Sequence, residues 1–99
     1  MAYPLLYHPL VARDDIPTIP RNLQLRLARA IEARLSTAAQ RYGEPLRGPF
    51  QGCRKLRVGD YRVVYRIVQR EVWILAILHR KRVYELAQPR RAWHPPSVD

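Results

Sequence analysis

RKLRVGDYRVVYRIVQREVWILAILHRKRVY, residues 54–84, contains three runs rich in Val, Ile, Tyr and Trp parted by short polar breaks, a pattern that predicts two β-hairpins in series. The first break is Gly59-Asp60, and a glycine leading a two-residue loop supplies the positive φ that a primed hairpin turn needs at its first position. That turn sets the pairing: Val58 faces Tyr61, Arg57 faces Arg62, Leu56 faces Val63 and Lys55 faces Val64. Alternation along the second run puts Tyr61, Val63, Tyr65 and Ile67 on one side of the sheet and Arg62, Val64, Arg66 and Val68 on the other. The first side is apolar and suits a covering helix; the second is mixed, basic and expected to face out. The third run, Val72 to His79, is apolar on both sides, which predicts a central strand.

Two guanidiniums directly opposite each other cost a sheet roughly 0.2–1 kcal/mol. Lys55 and Arg66 lie further along the same face, so this face is expected to receive an anion. The alternatives are that Asp60 and Glu71 neutralise the pair from the two turns, or that the long stems splay into water.

The totals agree with a basic binding face. A chain of 99 residues with 47% hydrophobic content is expected to form one small domain, 1–99. Its formal charge of +10 suits phosphate backbones or an acidic protein partner. Nearly all of the basic residues are Arg, the side chain that grips phosphate and carboxylate bidentately, although a genomic codon bias gives the same excess. The lone Cys53 excludes an internal disulfide. The longest apolar run, Val72 to Leu78, is too short to cross a bilayer, so a soluble, cytoplasmic protein without membrane partners is expected.

Outward from the hairpins, Tyr3 to His8 reads as a short edge strand because Pro4 removes a ladder donor. Pro9 then opens a short helix that stops at Pro17. From Pro20 to Tyr42 the apolar residues Leu23, Leu27, Ile31 and Leu35 recur every four positions, widened by Ala28 and Ala38, which predicts one long amphipathic helix. Gly43 supplies its left-handed C-terminal cap. Residues 44–52, with two Pro and two Gly, are expected to be a loop. Residues 89–99 hold three Pro and no periodicity and read as a mobile tail, in which Trp93 either stacks on a base, docks into a partner or packs back on the domain.

The chemistry these residues permit is narrow. His8, His79, His94 and Cys53 lack metal-ligand spacing, so no metal or other cofactor is expected. What remains is the face of Lys55, Arg57, Arg62 and Arg66 with the exit segment His79, Arg80, Lys81, Arg82 and Tyr84. Such a set can drive attack of an RNA 2′-hydroxyl on its own 3′-phosphate, which needs a base, cations for the phosphorane oxygens and an acid for the departing 5′-oxygen. Arginines meet the middle requirement. Nearby cations favour a phenolate, so Tyr84 can act as base, with His79 as the competing base and Arg80 or Lys81 at the leaving group.

The blocks RLARAIEARL, LRG, KLRVGDYRVVYRI and ILAILHRKRVYE, spread over nearly the whole chain, resemble the RelE/ParE superfamily of bacterial type II toxins, in particular its RelE-like branch. The resemblance implies an α+β fold with two N-terminal helices on a small antiparallel sheet. It implies cleavage of mRNA in the ribosomal A site, neutralisation by a cognate acidic antitoxin, and contact with operator DNA only through that antitoxin. By the resemblance, Arg62 matches the phosphate-stabilising arginine, Lys55 and Arg57 match basic residues of the preceding strand, and Tyr84 matches the tyrosine that activates the 2′-hydroxyl. Arg80 and Lys81 both lie where a leaving-group cation is expected. Leu78 stands where many relatives have Gly before the His-Arg pair, and the proline-rich tail is additional. The competing functions are a ParE-like DNA gyrase inhibitor and a degenerate toxin that only binds its antitoxin.

Overall fold

The computed structural model describes residues 2–96 and has the expected α+β architecture. Five strands, β1 (Leu5–Tyr7), β2 (Glu44–Pro45), β3 (Arg54–Val58), β4 (Tyr61–Val68) and β5 (Glu71–His79), form a sheet ordered β1-β5-β4-β3-β2. The sheet is mixed, not wholly antiparallel as expected. Strands β2 to β5 alternate in direction and step back across the sheet until β5 lies beside β1, where the two run parallel with Leu5 opposite Val72 and Tyr7 opposite Ile74. β5 is interior, as its apolar composition on both faces requires.

The β3–β4 register is the one the Gly59-Asp60 turn dictates, with Arg57 paired to Arg62 and Val58 to Tyr61. Gly59 has φ +60, the sign a primed turn needs. The second hairpin closes through Gln69-Arg70, and Gln69 takes φ +56, a left-handed conformation that costs a residue with a Cβ roughly 1 kcal/mol. Gln69→Gly is therefore expected to stabilise the fold by about 0.5–1 kcal/mol, read as a higher denaturant midpoint at an unchanged m-value. An equal or lower midpoint refutes it.

β4 and β5 pair regularly except at one bulge. Val64 faces Ala76 while Tyr65 faces Ile74, leaving Leu75 without a partner on β4. The extra residue places Leu75 and Ala76 on the same face and moves Ile77 and His79 to the opposite one.

On one face of the sheet lie a short helical segment, residues 11–18, and the long helix, residues 21–38. The long helix widens into a π turn at Ile31–Leu35. Leu27, Ile31 and Leu35 enter the core with Val63, Tyr65, Val72, Ile74 and Ile77, as their four-residue spacing predicts, whereas Ala28 is exposed and does not widen the stripe. The helix stops at Ala38, short of the expected Tyr42, and a turn follows; Gly43, φ +73, lies beyond that turn and is not the helix's cap, but it meets the Tyr65 hydroxyl and the Lys55 carbonyl so closely that any Cβ clashes. The Tyr65 hydroxyl shares its one proton between the carbonyls of Ala39 and Tyr42, and Arg54 donates to those of Gln40, Tyr42 and Gly43, so the acceptors of the turn that follows the helix are filled from the sheet. Residues 44–52 are less of a loop than expected, since Glu44 and Pro45 pair with β3 and Gly48–Phe50 make a 3₁₀ turn.

The outer face of the sheet is not simply exposed. Its centre carries a second core of Phe50, Val64, Trp73, Leu75, Ala76 and Leu78, covered by a C-terminal helix (Val83–Ala87) that inserts Val83 and Ala87. Of the alternatives open to Trp93 in the tail, the structure has packing back on the domain. Trp93 packs back, edge-on to Trp73 with centroids 6.0 Å apart, and His94 does the same at 5.4 Å. Arg90 is only 6% exposed and reaches Asp15, 1% exposed, through two hydrogen bonds of 2.7 and 3.0 Å. Residues 97–99 of the expected tail lie outside the described residues.

This buried pair sits where β1 stops. His8 donates its main-chain N–H to the Ile74 carbonyl as the last main-chain contact on that edge of β5. Beyond it the Ile77 N–H donates to Asp15 Oδ2 at 3.0 Å, and the Leu75 carbonyl accepts from Arg90 Nη1 at 3.2 Å. Carboxylate and guanidinium thus stand in for the strand that is missing there. Among the described residues no helix is long and apolar enough to cross a membrane.

Candidate phosphate-binding site

The β3–β4 hairpin projects Lys55, Arg57 and Arg62 from the outer face because they share its two-residue period. With Gly43, Glu44 and Leu56 they line a hollow of about 380 Å³. Arg62 Nη1 donates to the carbonyls of Gly59 (2.9 Å) and Tyr61 (3.0 Å), which fixes its guanidinium against the turn without neutralising it. Arg57 is exposed and makes no side-chain hydrogen bond or ion pair among the described residues. Lys55 Nζ lies 3.9 Å from Glu44 Oε2, an exposed contact worth little in water. Of the two turn carboxylates, Asp60 lies 3.8 Å from Arg80 and Glu71 accepts from Trp73 Nε1 at 3.0 Å. Neither neutralises the Arg57/Arg62 pair. The hollow is therefore strongly cationic and suited to phosphate.

The other candidate residues do not all join it. Tyr84, in the first turn of the C-terminal helix, is exposed and stands edge-on to Phe50 with centroids 5.6 Å apart, on the outer side of the sheet but not lining the hollow. Arg80 is drawn to the Gly59-Asp60 turn: its N–H donates to the Asp60 carbonyl at 2.8 Å. Lys81 is exposed, its N–H donating to His79 Nδ1, and Arg82 pairs with Glu85 at 3.4 Å. His79 is on the opposite face. It packs edge-on to Tyr61 (5.6 Å) in a hollow shared with Leu23, Arg26 and Leu27 of the long helix. Strict alternation from Val72 puts His79 beside Arg62; the bulge at Leu75 moves it through the sheet. Leu78, in the position where the resemblance leads one to expect Gly, is buried opposite Arg62.

Arg66 lies at the far end of β4 in a second hollow with Cys53, Trp73 and Arg91. Sequence reading missed Arg91 as a partner, and its only signal was a second arginine after Pro89. Burial pushes the Cys53 thiol up, with Arg66 and Arg91 opposing the shift. At neutral pH Cys53 is expected to stay a thiol and to react with iodoacetamide far more slowly in the folded chain than after denaturation; equal rates refute this.

Known proteins share this fold. A family model described as "ParE toxin of type II toxin-antitoxin system, parDE" matches residues 7–84. One similar solved structure is that of the toxin-antitoxin complex RelBE2 from Mycobacterium tuberculosis, at 28% identity and TM-score 0.73, covering 80% of this chain and 92% of that one. The RelB-RelE antitoxin-toxin complex from Methanococcus jannaschii follows at 20% identity and TM-score 0.66, covering 82% and 96%. A double arginine-to-alanine mutant of E. coli toxin RelE in the free state shares the fold at 20% identity and TM-score 0.62, covering 91% and 98%. A search of curated protein sequences found no match. Fold and family model together define a type II toxin of the RelE/ParE superfamily. Within that class the chain belongs to the ParE toxin family, whose model spans most of its length.

Proposed function

We propose that the protein is an endoribonuclease that cuts mRNA in the ribosomal A site by metal-independent attack of a 2′-hydroxyl on the adjacent phosphate. The observation that carries this reading is the convergence of Lys55, Arg57 and Arg62 on one hollow with no carboxylate on either arginine. A pentacoordinate phosphorane carries more charge on its equatorial oxygens than the diester, so fixed guanidiniums stabilise it preferentially. In this reading Arg62 and Arg57 hold those oxygens and Lys55 screens the chain beyond them. Tyr84 takes the 2′-hydroxyl proton, and Arg80 or Lys81 attends the departing 5′-oxygen.

A cytoplasmic toxin with this charge needs restraint. The M. tuberculosis and M. jannaschii neighbours are complexes with antitoxins, and a +10 chain suits a flexible acidic antitoxin segment that folds on binding, through which operator DNA is reached. Two observations favour a second reading, inhibition of DNA gyrase: the family model's own description and the position of Tyr84 outside the hollow. Induced expression without antitoxin, followed by mapping of mRNA 5′ ends, separates them. Codon-phased cuts in translated messages support the nuclease, and intact messages with broken DNA support gyrase inhibition. In single-turnover assays Tyr84→Phe is expected to slow cleavage by about 10²-fold or more while leaving ribosome binding unchanged; undiminished cleavage removes Tyr84 from the mechanism.

A further inference from the structure

The second hollow, about 460 Å³, lies on the same outer face as the first but at the other end of β4. Its two arginines are half-buried and held by main-chain acceptors: Arg66 Nη1 donates to the Arg91 carbonyl at 3.3 Å, and Arg91 Nη1 to the Pro49 carbonyl at 2.7 Å. Among the described residues neither meets a carboxylate, so most of their guanidinium N–H groups have no protein acceptor. Trp73 and His94 supply aromatic walls. Positioned guanidiniums beside π surfaces match a nucleotide, which offers a phosphate and a base together, better than an acidic peptide, which offers carboxylates alone.

The two hollows are also related to Tyr84. Pro49 and Gln51 line the second hollow, and Phe50 between them carries the Tyr84 ring. Arg62 and Arg66 are four residues apart on one strand, roughly 13 Å, a span of a few nucleotides of single strand.

We propose that the Arg66/Arg91 hollow binds a flanking phosphate of the same single-stranded RNA, so that the strand crosses the Phe50–Tyr84 ridge with an arginine pair on either side. This rests on the nuclease reading, and it gives Tyr84 access to a substrate without requiring it to line the first hollow.

The test is binding of a short 2′-O-methyl oligoribonucleotide, which lacks the attacking hydroxyl, measured by fluorescence anisotropy across a salt series. Arg66→Gln/Arg91→Gln is expected to weaken binding at low salt by at least tenfold and to flatten the salt slope by about 0.7 for each phosphate that is no longer neutralised. Arg66→Lys/Arg91→Lys is expected to keep the slope. Gln51→Glu, which adds an exposed carboxylate at the rim and disturbs no hydrogen bond of either arginine, is expected to weaken binding several-fold and covers the case in which the Gln pair fails to fold. Unchanged binding in Gln51→Glu overturns the proposal, as does loss of binding to an acidic peptide with RNA binding intact. If no message is cut in cells yet oligonucleotide binding depends on Arg66 and Arg91, the nuclease reading falls and the RNA subsite stands. If cleavage occurs but these variants bind like wild type, the subsite falls alone.

Discussion

Arg62→Gln is expected to lower single-turnover RNA cleavage by about 10²–10³-fold without lowering thermal stability. The rate loss is that of removing one fixed donor from a developing oxyanion. The stability side has the opposite sign to most substitutions, because Arg62 stands in register with Arg57 and the pair repels by roughly 0.2–1 kcal/mol. Against this, Arg62 loses its bonds to the Gly59 and Tyr61 carbonyls, which are partly exposed and can turn to water. Cleavage kinetics and a melt on the same preparation check both halves. A variant that cleaves at the wild-type rate removes Arg62 from the site, and one that loses activity only in step with its melting temperature shows a structural role.

The largest loss of stability is expected at Asp15, which lines neither basic hollow. Asp15→Ala strands the Arg90 guanidinium in a site it occupies at 6% exposure and removes the acceptor of the Ile77 N–H. Breaking one side of a buried pair costs about 3–5 kcal/mol, a large part of the roughly 5–15 kcal/mol that holds a small domain folded. At about 4–8 °C per kcal/mol, the melt should fall by more than ten degrees. Asp15→Leu/Arg90→Met should recover only part of that loss, since the Leu75 carbonyl and Ile77 N–H remain without partners on an edge that β1 does not reach. A drop under about 1 kcal/mol in Asp15→Ala would show that water or a neighbouring donor replaces the pair.

The same local rules that place Arg62 fail further along the chain, and the reason is physical. From Gly59-Asp60 the register propagates by a strict period of two, so Arg57, Arg62 and Lys55 can be assigned to one face from the sequence. On β5 the run WILAIL is apolar on either face, so nothing in it marks the extra residue at Leu75, and strict alternation puts His79 on the wrong side. Arg66 shares a face with Arg62 as alternation requires, but a covered apolar centre at Val64 separates their hollows.

The amino-acid sequence by itself determined the hairpin and its register, the buried stripe of the long helix and the placing of Lys55, Arg57 and Arg62 on one face, because each depends on residues close together in the chain. Tertiary structure alone decided that β1 runs parallel to β5, that the C-terminal segment folds back, and that Asp15 meets Arg90. Those contacts join the two ends of the chain. Neither end carries a local pattern that names its partner; what selects them is the need to fill the open edge of β5 and cover the apolar outer face.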